Sequence, residues 1–261
     1  SFIEDKKYSL VELNKTLRGI NNITLKSLND NKVIKYNKLE IDSEVLQEQL
    51  VSKVKGQEDN SSIITEEIVL WNNLYKGEKP LSLFLVGASG VGKTYTSKIV
   101  GESLKEYGYG YELIALSEFK SEHESSKLFG SPTGYAGNEA TPRLLESMKK
   151  HEKLVICFDE VEEAHPKIME SLVNLLEEGS ITFNVKGKTI KTDFSECIIF
   201  FTSNTSMKKL IDYKTNYIEK GGSVKSEEFK EIVFNELEEQ GLLHKKMQRR
   251  IEKFLVYNTL P

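Results

Sequence analysis

Eight residues, "GASGVGKT" (87–94), place three glycines, a lysine and a hydroxyl at one spacing, G-x-x-x-x-G-K-[ST], without a mismatch. That pattern suits a polyphosphate. Gly87, Ala88, Ser89, Gly90, Val91 and Gly92 offer backbone N–H groups that turn inward around phosphate oxygens, and the glycines leave no Cβ in the way. The helix that follows gives its N-terminal dipole to the anion. Lys93 reaches toward the β- and γ-phosphates, and Thr94 supplies a hydroxyl to Mg²⁺.

Two further stretches carry matching chemistry. In "LVICFDEVEEAHP" (154–166) an apolar run delivers two acids: Asp159, placed to hold Mg²⁺ directly or through water, and Glu160, able to take a proton from an attacking water. Glu162 and Glu163 read as exposed charge on the next helix, without a role. "CIIFFTSN" (197–204) ends a third apolar run on Asn204, which is positioned to orient that water beside Glu160. Taken alone, a Ser–Asn after a strand is an ordinary turn, so its role depends on the other two motifs. A fourth stretch, "GSPTGYAG" (130–137), holds Tyr135 and Ala136 between Gly134 and Gly137, an aromatic on a hinge.

These residues need a frame. "LSLFLV" (81–86), "YELIAL" (111–116), "KLVICF" (153–158) and "CIIFFT" (197–202) read as strands, the apolar ones buried on both faces. Helical segments from about Gly92, at about 139–150 and at 167–178 separate them. This alternation predicts an α/β fold: a parallel sheet sandwiched by helices, with the P-loop between its first strand and helix. "GSITFNVKGKTIKT" (179–192) reads as an inserted β-hairpin turning at Lys186–Gly187. Upstream, "SEVLQEQLVSKV" (43–54) puts Val45, Leu46, Leu50, Val51 and Val54 on one helical face with Ser43 as its cap, and a second helix covers 63–75. "YSLVELNKTL" in the Asn- and Lys-rich first forty residues reads as a short amphipathic helix.

The 261 residues are 29% charged and 38% hydrophobic with a net charge of −4, a globular composition without the basic excess of a nucleic-acid binder. No apolar run approaches the length of a membrane span or signal core. Cys157 and Cys197 sit inside apolar runs and read as buried thiols, which fits a reducing, cytoplasmic setting. The chain begins with Ser and ends on "YNTLP", which suggests a piece of a longer protein.

With these residues placed, the chain resembles the Clp/heat-shock AAA+ ATPase family, in particular the large domain of the second ATPase module of the ClpB and ClpA type, from about Leu46 to Leu260. "VKGQED" (54–59) is similar to the family's adenine-contacting segment, which implies a nucleotide-binding role for Val54, Gly56 and Gln57. "LFGSPTGYAG" resembles the stretch with the substrate-gripping pore loop, and implies that role for Gly134, Tyr135, Ala136 and Gly137. "LLEEGSITF" resembles the second pore hairpin and "FTSN" the sensor 1 strand. "MQRRIEKFLVY" (247–257) resembles the segment carrying the arginine finger, which falls on Arg250 with Arg249 beside it. The resemblance implies ATP and Mg²⁺, a homo-hexameric ring in which Arg250 acts on a neighbour's γ-phosphate, and a protein substrate threaded through the pore. It also implies a 43–261 large domain without the small helical domain, and leaves 1–42 without a role.

Several positions depart from the pattern. Thr141–Pro142 stands where the family has a glycine pair, Ser180 where a basic residue is common, and Gln248–Arg249 are unusual. No loop of the kind that docks ClpP-type peptidases is visible in 205–225. Two functions stay open: an ATP-hydrolysing motor of a protein unfoldase, or a nucleotide-gated switch or scaffold that does not thread substrate. A nucleic-acid-associated AAA+ protein fits the acidic balance less well, and no guanine-reading Asn-Lys-x-Asp is present.

Overall fold

The computed structural model describes residues 41–74, 77–130, 141–185, 188–204, 208–243 and 245–259. Over them the chain forms α1 (Ser43–Lys53), α2 (Glu58–Leu74), β1 (Leu81–Val86), α3 (Lys93–Ser103), β2 (Tyr109–Ala115), α4 (Glu122–Phe129), α5 (Arg143–Lys150) and β3 (Lys153–Asp159). Then come α6 (Pro166–Glu178), β4 (Ser180–Val185), β5 (Lys188–Asp193), β6 (Ile198–Ser203), α7 (Lys208–Glu219), α8 (Glu227–Glu239), a one-turn α9 (Lys245–Gln248) and β7 (Lys253–Val256).

Five strands make one sheet in the order β2-β3-β6-β1-β7, and every pairing is parallel. Side chains alternate across it, as the period of two requires. Phe84, Val86, Ile156, Phe158, Ile199, Phe201, Phe254 and Val256 face one layer, packed with Leu144 of α5, Leu172 and Leu175 of α6 and Phe229 and Val233 of α8. Leu83, Leu85, Val155, Cys157, Ile198, Phe200 and Leu255 face the other, with Leu46 and Leu50 of α1, Ile64 and Ile68 of α2 and Ile99 and Val100 of α3. All six residues of β1 and of β6 are buried, which is why both read as continuous apolar runs. Burying each of these large side chains contributes about 1.5–3 kcal/mol.

The hairpin forms as expected. β4 and β5 are antiparallel and their register closes with Val185 opposite Lys188; the turn itself lies outside the described residues. Phe183 and Phe194 are fully buried and anchor its base to the core.

Several expectations shift. The cap of α1 is Asp42, not Ser43: its Oδ1 accepts from the backbone N–H groups of Glu44 and Val45 at 2.9 and 3.2 Å. On α1, Leu46 and Leu50 are buried but Val45 is 41% exposed, because the contact stripe follows the i, i+4 row. α2 starts at Glu58, five residues earlier than expected, with Glu58 and Asp59 at the positive end of its dipole. The helix expected from 139 starts at Arg143, after Pro142, whose ring disfavours helix in the residue before it. β7 was not expected as a strand.

Cys157 and Cys197 are fully buried and in no disulfide, and burial pushes the Cys157 thiol pKa up to about 12. Among the described residues no helix is long and apolar enough to cross a membrane.

Candidate nucleotide site

The strand order makes the site. β6 lies between β1 and β3, so three C-terminal strand ends adjoin, where open α/β sheets bind ligands. β1 ends in the glycine-rich loop, β3 in Asp159 and Glu160, and β6 in Asn204.

Lys93 sits at the centre, only 4% exposed. Its Nζ donates to the carbonyls of Gly87 at 2.8 Å and Ala88 at 2.7 Å, and to Asn204 Oδ1 at 2.8 Å. The amide of Asn204 then donates to Glu160 Oε1 at 3.1 Å. Lys93, Asn204 and Glu160 thus form one chain of contacts. Burial lowers the Lys93 pKa, and the charges of Asp159, Glu162 and Glu160 oppose that shift.

Thr94 Oγ1 donates to Asp159 Oδ1 at 2.7 Å. The same oxygen accepts from the hydroxyl of Thr202, which in turn accepts from the Glu160 backbone N–H at 3.2 Å. Thr202 therefore fixes both acids from β6, a role its place inside an apolar strand concealed. Glu160 adopts φ 60°, ψ 58°, the left-handed region, alone among the described non-glycine residues. That conformation costs about 1–3 kcal/mol and is held by the surrounding contacts.

Glu162 is not the idle surface charge its sequence suggests. Its Oε1 accepts the backbone N–H of Asn204 at 2.8 Å, and its Oε2 is buried without a hydrogen-bond partner among the described residues. A Glu-x-Glu-Glu run reads as solvated, and only the fold brings the sensor turn onto it. Glu163 does behave as expected, as a half-exposed partner of Lys120.

The glycines have separable reasons. Gly92 caps α3 at φ 100°, where a side chain is strained. At Gly87 the obstacle is protein: an added Cβ would lie 2.8 Å from Tyr257 Cβ. Tyr257, just past β7, is fully buried and donates its hydroxyl to Thr96 Oγ1 at 2.9 Å, so the chain's end is laced under the phosphate loop.

Segment 54–57 lies against the same loop. A Cβ at Gly92 would sit 3.7 Å from Val54 Cγ1, and Gln57 Nε2 reaches the Val91 carbonyl at 3.5 Å. Gln57 is 1% exposed; its Nε2 also donates to Asn258 O at 2.8 Å, and its Oε1 accepts from Asn60 Nδ2 and the Asn258 N–H. Its side chain is thus committed within the protein. Val54 and the Gln57 amide are what this segment turns toward the loop.

Arg250 is not drawn into this cluster. Its Nη2 pairs with Glu177 Oε1 on α6 at 2.6 Å, and its Nη1 donates to the Lys246 carbonyl. Arg249, next to it, is exposed. Gly134, Tyr135, Ala136 and Gly137 lie outside the described residues.

A parallel sheet that gathers a G-x-x-x-x-G-K-[ST] loop, an acid pair and an asparagine at adjoining strand ends has the build of a P-loop ATPase. A family model described as AAA domain (Cdc48 subfamily) matches residues 78–255, and the chain belongs to the AAA+ ATPases of the Clp/Hsp100 type. It is 31% identical to the chaperone protein ClpB of Bacillus anthracis over 217 residues, 82% of this chain and 24% of that one. It is 34% identical to the mitochondrial disaggregase of Homo sapiens over 172 residues, 64% of this chain and 24% of the relative. A solved Hsp104 chain, from a closed-state reconstruction with ATPγS and FITC casein, superposes with a TM-score of 0.65 at 27% identity, over 83% of this chain and 35% of that one. The chain therefore spans about a quarter of the length of these curated relatives.

Proposed function

We propose that this chain is the ATP-hydrolysing motor module of a ring-forming Clp-type protein disaggregase, a homo-hexamer when assembled, that threads protein substrate. The contact chain Lys93–Asn204–Glu160 carries the reading. A scaffold that only binds nucleotide needs the lysine, but not a carboxylate held beside a sensor amide. The Hsp104 relative, seen with ATPγS and casein, supports the same assignment by likeness.

In this mechanism the loop 87–92 and Lys93 bind the phosphates, Lys93 exchanging its carbonyl partners for phosphate oxygens. Asn204 orients a water toward the γ-phosphate, and Glu160 takes its proton. Thr94 and Asp159 fit Mg²⁺: they are hard oxygen donors 2.7 Å apart, and this ion needs only one or two protein oxygens beside phosphate and water. Bound there, it would neutralise charge on the phosphate oxygens. Arg250 exchanges Glu177 for the γ-phosphate of a neighbouring subunit, and Tyr135 grips substrate.

The deciding experiment places Tyr135→Ala in the full-length protein and follows unfolding of a tagged substrate, with ATP turnover measured on the same preparation. Loss of unfolding is the expected result. Equal unfolding by both proteins would favour a nucleotide-gated switch that does not thread substrate.

A further inference from the structure

Glu162 follows closely on Glu160, and the proposed reaction gives it no task. β3 ends at Asp159, Glu160 turns the chain with its left-handed backbone, and a single 3₁₀ turn, Val161–Glu163, follows. Val161 is buried and anchors that turn in the core, while Lys120 holds Glu163 on the outer side at 2.5 Å. Between these anchors Glu162 is directed back across the strand ends to the tip of β6.

Its target is a backbone group beyond the reach of the sheet. β6 ends at Ser203, whose partner in the β1 register is Val86. Asn204 is the first residue past that ladder, and its N–H donates to Glu162 Oε1 at 2.8 Å. From this backbone the Asn204 side chain spans Lys93 and Glu160, accepting from Lys93 Nζ at 2.8 Å and donating to Glu160 Oε1 at 3.1 Å. An amide engaged at both ends by contacts of this length tolerates little displacement. The other carboxylate oxygen of Glu162, Oε2, is buried without a hydrogen-bond partner among the described residues. That costs stability, so the fold alone does not account for this side chain. Its negative charge also favours the ammonium of Lys93, against the burial that disfavours it. Hydrogen bond and charge are thus two separable effects of one residue.

We infer that Glu162 is a positioning residue for hydrolysis: by accepting the Asn204 N–H it sets that residue's amide between Lys93 and Glu160, the place from which it orients the attacking water. The hydrogen bond, not the charge, carries this role. It rests on the proposed roles of Asn204 and Glu160.

Two conservative variants separate the effects in the full-length protein. kcat is read at saturating ATP, so that a change of affinity through Lys93 does not enter, and release of labelled phosphate keeps strongly lowered rates measurable. Glu162→Gln keeps an acceptor at the same reach and removes the charge. Glu162→Asp keeps the charge and withdraws the acceptor by a methylene. The Gln variant should keep kcat within about threefold, and the Asp variant should lose about tenfold or more, the value of a hydrogen bond to a charged group. A faster Asp than Gln variant would assign the effect to charge on Lys93, and equal rates would leave the hydrogen bond without effect; either overturns the proposal. A cycle with Asn204→Ala tests the route. In that background Glu162→Asp should cost less than about twofold, because no amide is left to position. An equal loss in both backgrounds would show that Glu162 acts on the fold or on another group, and would overturn the proposal. Turnover by Asn204→Ala itself at the parental rate would instead overturn the reading of Asn204, and this role with it.

Discussion

At the ends of β1, β3 and β6, Lys93, Asn204 and Glu160 are tied to one another, and Asp159 to Thr94 and Thr202. At the other end of the functional set, Arg250 is tied to Glu177 on α6 and to Lys246, outside that chain of contacts. The first region brings residues from three strand ends together within one chain. The second holds its charge in an ion pair on another face of the fold. Under the proposed mechanism, the difference separates chemistry built by one sheet from chemistry that would need a neighbouring subunit.

Three substitutions test that contrast, in order of expected size. Glu160→Gln in the assembled protein removes the proton acceptor but keeps the shape, so kcat should fall by about 10²–10⁴ while ATP affinity changes little. Turnover at the parental rate would show that the base lies elsewhere. Lys93→Ala should weaken ATP by roughly a hundredfold in the isolated chain, the value of about two charge-assisted hydrogen bonds. Titration calorimetry checks it, and unchanged affinity would remove the loop from the site. Arg250→Ala should leave ATP affinity of the isolated chain within about twofold and cost at most about 1 kcal/mol of stability, because Glu177 is 54% exposed. A melting temperature lowered by about 2–4 °C would register that loss. A large loss of ATP binding by the isolated Arg250→Ala chain would collapse the contrast.

The same contrast runs through what the sequence made legible. β1 runs over Leu81–Val86 as the apolar run and its Pro80 and Gly87 borders require, and the phosphate loop follows from type and spacing. Asp159, Glu160 and Asn204 are legible as strand-end residues because each follows an apolar run. What escaped is held by contacts between residues far apart in the chain. β7 has only four residues and follows a charged turn, so nothing local marks it as a strand; its place is set by pairing with β1 and by Phe254 packing on Phe84 at 5.4 Å. Glu162 gains its role from a turn on another strand, and Gln57 and Asn258 meet across 201 positions. Tyr257, the reason Gly87 cannot carry a side chain, lies at the far end of the sequence.

One detail bears on how this site can change over time. Glu160 holds a left-handed backbone that glycine, asparagine or aspartate would occupy at lower cost. Drift toward greater stability at this position therefore runs against the long carboxylate that reaches Asn204. Under the proposed mechanism, position 160 is a point where a more robust backbone and a proton acceptor within reach of Asn204 are alternatives. Variants gathered for thermal resistance alone should tend to lose the long carboxylate there.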